Sequence, residues 1–131
     1  MAWYEIQDSD SSISPTEWNN MVDKIRQNNI TAQTESSLTL DMNHDVLVCD
    51  TTSNAIALTL PEAANSPGKQ YIVFLGTDGG NDVTISCVGS DVLNSSDNTT
   101  ATMADAEDYF HIVAVSDDRW LIISDTGVAY S

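Results

Sequence analysis

The sequence predicts a mainly β protein, an antiparallel β-sandwich or small barrel preceded by one short N-terminal α-helix, and three observations carry that expectation. From Leu38 onward apolar and polar residues alternate with period 2, as in Leu38, Leu40, Met42 and again in Ile56, Leu58, Leu60. Between these lie longer apolar runs, Val46 to Cys49, Tyr71 to Leu75, Val83 to Val88, Phe110 to Val115 and Trp120 to Ser124, which read as more fully buried strands. Turn signals separate the strands: Pro61, Ser66-Pro67-Gly68, Asp78-Gly79-Gly80-Asn81 and Ser116-Asp117-Asp118. Strands this short at this spacing suit a sandwich or barrel, and with no helix-length period among them no parallel α/β sheet is expected.

The helix is expected over about residues 15–27. Ser14 can cap it, Pro15 suits its first position, and Glu17 can close a capping box. Ile13 and Trp18 stand where a hydrophobic staple needs them, and Trp18, Met21, Val22 and Ile25 share one face by their spacing. A helix this short is marginal alone in water, so that face must pack on something. It lies between a polar leader (Gln7 to Ser12) and a polar linker (Asn28 to Ser37). Packing against the same helix in neighbouring subunits is therefore favoured over packing on its own chain. This divides the chain into an arm, residues 1–36, that anchors or oligomerises, and a β domain, residues 37–131.

Charge bounds the partners. Twenty Asp and Glu stand against four Lys and Arg, for a formal net charge of -16 over 131 residues. Lys24, Arg26, Lys69 and Arg119 form no patch in sequence, so nucleic acid is not expected as a partner. Self-repulsion of this size strains a compact fold in dilute buffer, but at molar salt the Debye length is only about 3 Å. The acids are spread along the chain and 15 of the 20 are Asp, a composition similar to that of proteins from halophilic archaea and their viruses. The first twelve residues have neither a basic start nor an apolar stretch, and no long apolar run follows, so neither a secretory signal nor membrane insertion is expected.

Candidate chemistry is sparse. Asp41, Asn43 and Asp45 open like a calcium loop, but Val46 stands where that loop needs Gly and Thr52 where it needs a bidentate Glu, so a tight turn is the favoured reading. Asp117, Asp118 and Asp125 could hold a cation at a subunit contact, although solvated acidic surface accounts for them as well. His44 and His111 lack zinc spacing, and Gly79-Gly80 lacks the following helix and Lys of a phosphate loop. No nucleophile motif is present, so no catalytic residue and no cofactor are expected beyond a possible structural cation, and the protein is not expected to be an enzyme. Cys49 and Cys87 lie in strand-like runs without a CxxC pattern; two buried free thiols are favoured, with a disulfide left open. Three glycosylation sequons begin at Asn29, Asn94 and Asn98, in a sequence where Asn, Ser and Thr make chance matches common.

Several motifs carry a resemblance. Leu58-Thr59-Leu60-Pro61-Glu62-Ala63 followed by Gly68 to Phe74, then Gly79-Gly80-Asn81-Asp82-Val83-Thr84-Ile85, then the Phe110 to Ile123 hairpin, are similar in order and spacing to β modules of phage tail fibres, spikes and capsid decoration proteins. Asp118-Arg119 stands where those modules place a Gly. Pro15 to Val22 resembles the short helix near the start of many phage structural proteins. The resemblance covers about two thirds of the chain. It implies a virion surface protein of a tailed, salt-adapted archaeal virus: a capsid decoration, turret, or short spike or fibre subunit, assembled in the host cytoplasm. Its implied partners are itself, as a homotrimer or other symmetric oligomer, and other virion proteins such as the major capsid or tail protein. The second expectation, from a different class, is a small glycan- or glycoprotein-binding module for host recognition. That reading calls for aromatics clustered on one exposed face, for which Trp3, Tyr4, Tyr109, Trp120 and Tyr130 are the candidates and Trp120 reads as core.

Overall fold

A computed structural model describes residues 14–16, 29–94 and 97–131. The expected helix falls outside them except for Pro15 and Thr16, and the anchoring set Ile13, Trp18, Met21, Val22 and Ile25 lies wholly outside.

The described chain is built of strands in two sheets. In chain order they are β1 (Ile30–Gln33), β2 (Ser37–Thr39), β3 (Val46–Asp50), β4 (Ile56–Thr59), β5 (Gln70–Thr77) and β6 (Val83–Ser86), followed by β7 (Val92–Leu93), β8 (Thr100–Met103), β9 (Tyr109–Ser116), β10 (Arg119–Thr126) and β11 (Val128–Tyr130). The six-stranded sheet runs β1-β3-β5-β9-β10-β7 and the five-stranded sheet β11-β8-β6-β4-β2.

The expectation of antiparallel pairing is corrected. Both sheets are mixed: β1, β3 and β5 pair in parallel, as do β2, β4 and β6, and β7 lies parallel to β10. The reason is the path of the chain. From β1 to β9 each strand lies in the opposite sheet from the one before it. A parallel pair needs a long crossover, usually a helix; here a strand of the other sheet supplies it. Antiparallel pairing enters with the β9–β10 hairpin and at β5–β9, β6–β8 and β8–β11.

Parallel stacking requires successive corners to superimpose, and Thr51, fully buried, ties two of them together. Its N–H donates to Thr77 O at 3.0 Å, its Oγ1 accepts from the Gly79 N–H at 3.0 Å, and its O accepts from Asn81 Nδ2 at 2.9 Å. A Cβ at Gly79 would stand 2.2 Å from Thr52 Cα, so only glycine permits this approach. One corner earlier, Asn54 Nδ2 donates to Thr34 O at 3.4 Å.

Both sheets contribute to one buried cluster, with Trp120, Tyr71 and Phe110 as its largest side chains among Leu, Ile and Val from either sheet. The Tyr71 and Trp120 rings lie 5.6 Å apart, and Tyr71 Oη, the polar end of a buried ring, donates to Asp41 O at 2.8 Å. Trp120 is core, as its sequence context indicated.

Two other expectations change. The polar stretch assigned to a linker contains β1, because Ile30 to Gln33 completes the edge of the six-stranded sheet beside β3. Met42, expected to alternate inward with Leu38 and Leu40, is 60% exposed, since the chain turns at Asp41 and leaves the period.

Asp108 is a buried acid with a structural task. Its Oδ2 accepts from the Ala104 N–H at 3.1 Å and the Asp105 N–H at 3.0 Å, holding the loop before β9. Gly127, at φ 70°, makes room for it, because a Cβ there would collide with the Asp108 carboxylate. Replacing Asp108 with Ala removes both hydrogen bonds from a buried carboxylate, and urea unfolding should show a loss of about 2 kcal/mol. A change below about 0.5 kcal/mol would mean that water reaches those donors freely.

Candidate functional site

The outer faces of the two sheets differ in kind. On the five-stranded sheet one row across the strands reads Thr39, Thr59, Ser86, Thr100, and the next reads Ser37, Ala57, Thr84, Thr102, Ala129. These are half-buried or exposed, and nearly all bear hydroxyls. That is the face of a sheet meeting water.

On the six-stranded sheet the corresponding rows are largely apolar over β1, β3, β5 and β9 and turn polar at their ends. One reads Ile30, Val46, Ile72, His111, Ser124, and the next Ala32, Val48, Phe74, Tyr109, Thr126. A third reads Gln70, Val113, Leu121 on the same face. Their chain neighbours Leu47, Cys49, Tyr71, Val73, Phe110 and Ile112 point into the core. No carboxylate stands in these rows, although the chain carries 20. The face is uncovered at several points: Ile30 is 73% exposed, Val115 52%, Leu121 44%, and Ile123, the extra residue of a β-bulge against β9, 46%. The apolar runs read in the sequence as fully buried strands are thus buried on one side only.

At one end of this face an open cleft of about 420 Å³ is lined by Asp45, Gly68, Lys69, Gln70, Ile72 and His111. Its polar groups are paired with one another. Lys69 Nζ lies 2.5 Å from Asp45 Oδ1 and 5.1 Å from the centre of the Tyr71 ring, and it also donates to Met42 O. His111 Nε2 and Gln70 Oε1 are 2.9 Å apart. Burial raises the Asp45 carboxyl, but the bond from Lys69, the Asn29 N–H and the nearby positive charge outweigh it and hold the group below its ordinary value.

The Asp41, Asn43, Asp45 set forms a turn. Asp41 Oδ1 accepts from the Asn43 N–H at 2.8 Å, and the Asp41 N–H donates to His44 Nδ1 at 3.1 Å. Asp45 is turned away to Lys69 and Asn29. Among the described residues no three His, Cys, Asp or Glu groups converge as metal ligands. Asp117, Asp118 and Asp125 do not converge either: Asp118 accepts from Ser116 Oγ and Asp125 from Tyr130 Oη. Two sequon asparagines are also engaged. Asn29 Nδ2, the atom a glycan would take, donates to Asn43 O at 3.1 Å, and Asn94 Oδ1 accepts from the Ile122 N–H at 2.6 Å.

Cys49 and Cys87 are both free thiols, Cys49 fully buried on β3 and Cys87 partly buried just after β6. Burial pushes the Cys49 thiol up to about 12, and burial with the nearby Asp91 charge pushes Cys87 up to about 11.

No protein-family model matches the chain, and no curated protein is significantly similar to it. The functional reading therefore rests on the residues and their geometry. The apolar sheet face was missed by sequence reasoning, although its signal was present in the unbroken runs at Val46 to Cys49, Tyr71 to Leu75 and Phe110 to Val115.

The raised thiols give an alkaline limit to stability. Both are displaced upward from an ordinary value of 9.0, so the unfolded chain loses its protons first. Their contribution is complete below about pH 9 and declines as pH rises from there toward the folded values. The melting temperature of the wild type should fall between about pH 9 and 11, and Cys49→Val should flatten part of that slope. An identical slope in the variant would assign the loss to other groups.

Proposed function

We propose that the protein is a non-enzymatic structural component of a virus particle, a capsid decoration, turret, or short spike or fibre subunit that works as a symmetric oligomer at high salt. The observation that carries this reading is the apolar centre of the outer face of the six-stranded sheet, whose cross-strand rows hold no carboxylate, in a chain of net charge -16. Such a face is costly to leave in water, and in monomers contiguous apolar patches of this kind mark interaction sites. Assembly is also the common remedy for an edge strand, and among the described residues β1 is one.

The carboxylates support a structural role as well. Asp41, Asp50, Asp78, Asp91 and Asp108 each accept a backbone N–H in a turn or loop, so their oxygens serve the fold. In this reading the arm, with Trp18, Met21, Val22 and Ile25, attaches the β domain to another virion protein or to neighbouring copies. A two-sheet sandwich then projects from the particle. High salt makes the arrangement workable, because a Debye length of about 3 Å screens acidic surfaces from one another at close range.

A second reading, recognition of a host glycan, is favoured by one observation: Phe74 and Tyr109 are cross-strand partners on the same outer face, where two rings could stack against a sugar. Loss of glycan binding in Tyr109→Ala, with oligomer mass unchanged, would select it.

Light scattering of the full chain at molar salt tests the structural reading. The expected mass is a small multiple of the 14.2 kDa chain. Trp18→Ala with Met21→Ala should leave the β domain folded while reducing assembly or particle attachment; unchanged assembly and attachment would remove the anchoring role. Thermal melts should show unfolding below about 0.5 M salt, and a melt insensitive to salt would overturn the halophilic reading.

A further inference from the structure

We infer that the outer face of the six-stranded sheet is buried against a second copy of this chain. The inference rests on the oligomeric reading above and names the surface and the partner.

The two sheets act as controls for each other. They belong to one chain, share one core and meet the same solvent, yet one outer face is lined mainly by Ser and Thr, while the centre of the other is lined by Ile, Val, Phe and Tyr with Leu121 beside them and Gln70, His111, Ser124 and Thr126 toward its margin. Solvent alone gives no reason for the difference. A covering partner does.

Charge selects the partner. A basic protein would be drawn to the acidic remainder of the surface, and a nucleic acid would need Lys or Arg, which these rows lack. The occupant must be neutral and apolar over a broad, pleated area. The face itself meets that description. Two chains that each carry -16 repel at most approaches. Through this face, where the rows of both partners lack charge, they can approach while burying apolar surface.

Width argues against the chain's own arm as the sole cover. The apolar residues lie on β1, β3, β5, β9 and β10, five strands that at about 4.8 Å spacing make a face about 19 Å wide. A helix over residues 15–27 would be about 10–12 Å across and offer one apolar stripe, leaving roughly a third or more of the face exposed. A second sheet, in a two-fold pair or around a three-fold axis, matches the whole width.

The test uses the full chain at molar salt, with oligomer mass read by light scattering across protein concentration. Leu121→Glu combined with Ile123→Glu places carboxylates on two exposed positions of the face and should weaken association by about 100-fold or more. The circular dichroism of the β domain should be retained. Thr102→Glu, on the hydroxyl face, should leave the mass unchanged. An oligomer that tolerates the double variant overturns this inference while leaving the structural reading standing. A wild type that is monomeric at every concentration overturns both.

If the double variant fails to fold, Leu121→Cys decides. Its thiol should be alkylated at least 10-fold more slowly in concentrated oligomer than after dilution to monomer. Rates independent of concentration would mean that the face is open or covered by its own arm, and would overturn the inference.

Discussion

The architecture depends on one constraint, that corners of the chain superimpose as it passes from one sheet to the other. Each crossing exposes a corner of backbone whose N–H and C=O groups have left their ladder. Thr51 answers this by bonding through its N–H, hydroxyl and carbonyl to the corner above it, and Gly79 allows the two backbones to touch. Because the corners stack, β3 and β5 are brought into register in one sheet and β4 and β6 in the other. The parallel pairing, the shared core and the two outer faces all follow from that registration.

The same geometry gives a second meaning to the acidic composition. Aspartate is the residue whose short carboxylate best caps the backbone N–H two positions on. Asp41 does this for Asn43, Asp50 for Thr52 and Asp78 for Gly80. Asp91 and Asp108 reach farther, to Ala63 and to the Ala104–Asp105 amides. A chain with this many corners needs such caps, so the preference for Asp over Glu is in part a demand of turns. The excess of acids over bases is not explained by turns; on the proposed function it is an adaptation to salt.

What the sequence disclosed follows from the range of each signal. The strands β3, β5, β6, β9 and β10 were legible as unbroken apolar runs between turn signals, and β2 and β4 by their period 2 alternation. Strand direction was not, since it depends on where the next strand goes after crossing, which no local pattern records. The short strands β7 and β11, and the Thr-Ala-Thr-Met of β8, have too few apolar residues to stand out from polar loops. Of the candidate site, the turn at Asp41 to Asp45 was legible as a short polar break between strands. The sheet face was misread, because a continuous apolar run looks the same whether its second side meets another layer of the chain or another molecule.

That ambiguity is itself informative. An antiparallel or mixed sheet with one side in water is expected to alternate, and the five-stranded sheet does. The six-stranded sheet departs from alternation over three adjacent central strands, so its departure is cooperative across the sheet and cannot be put down to isolated surface residues. Scattered exposed apolar side chains need no explanation, but rows of them in register do. With both outer faces on the same scaffold, the apolar one is, on the inferred pairing, an inner face whose opposing layer belongs to another subunit.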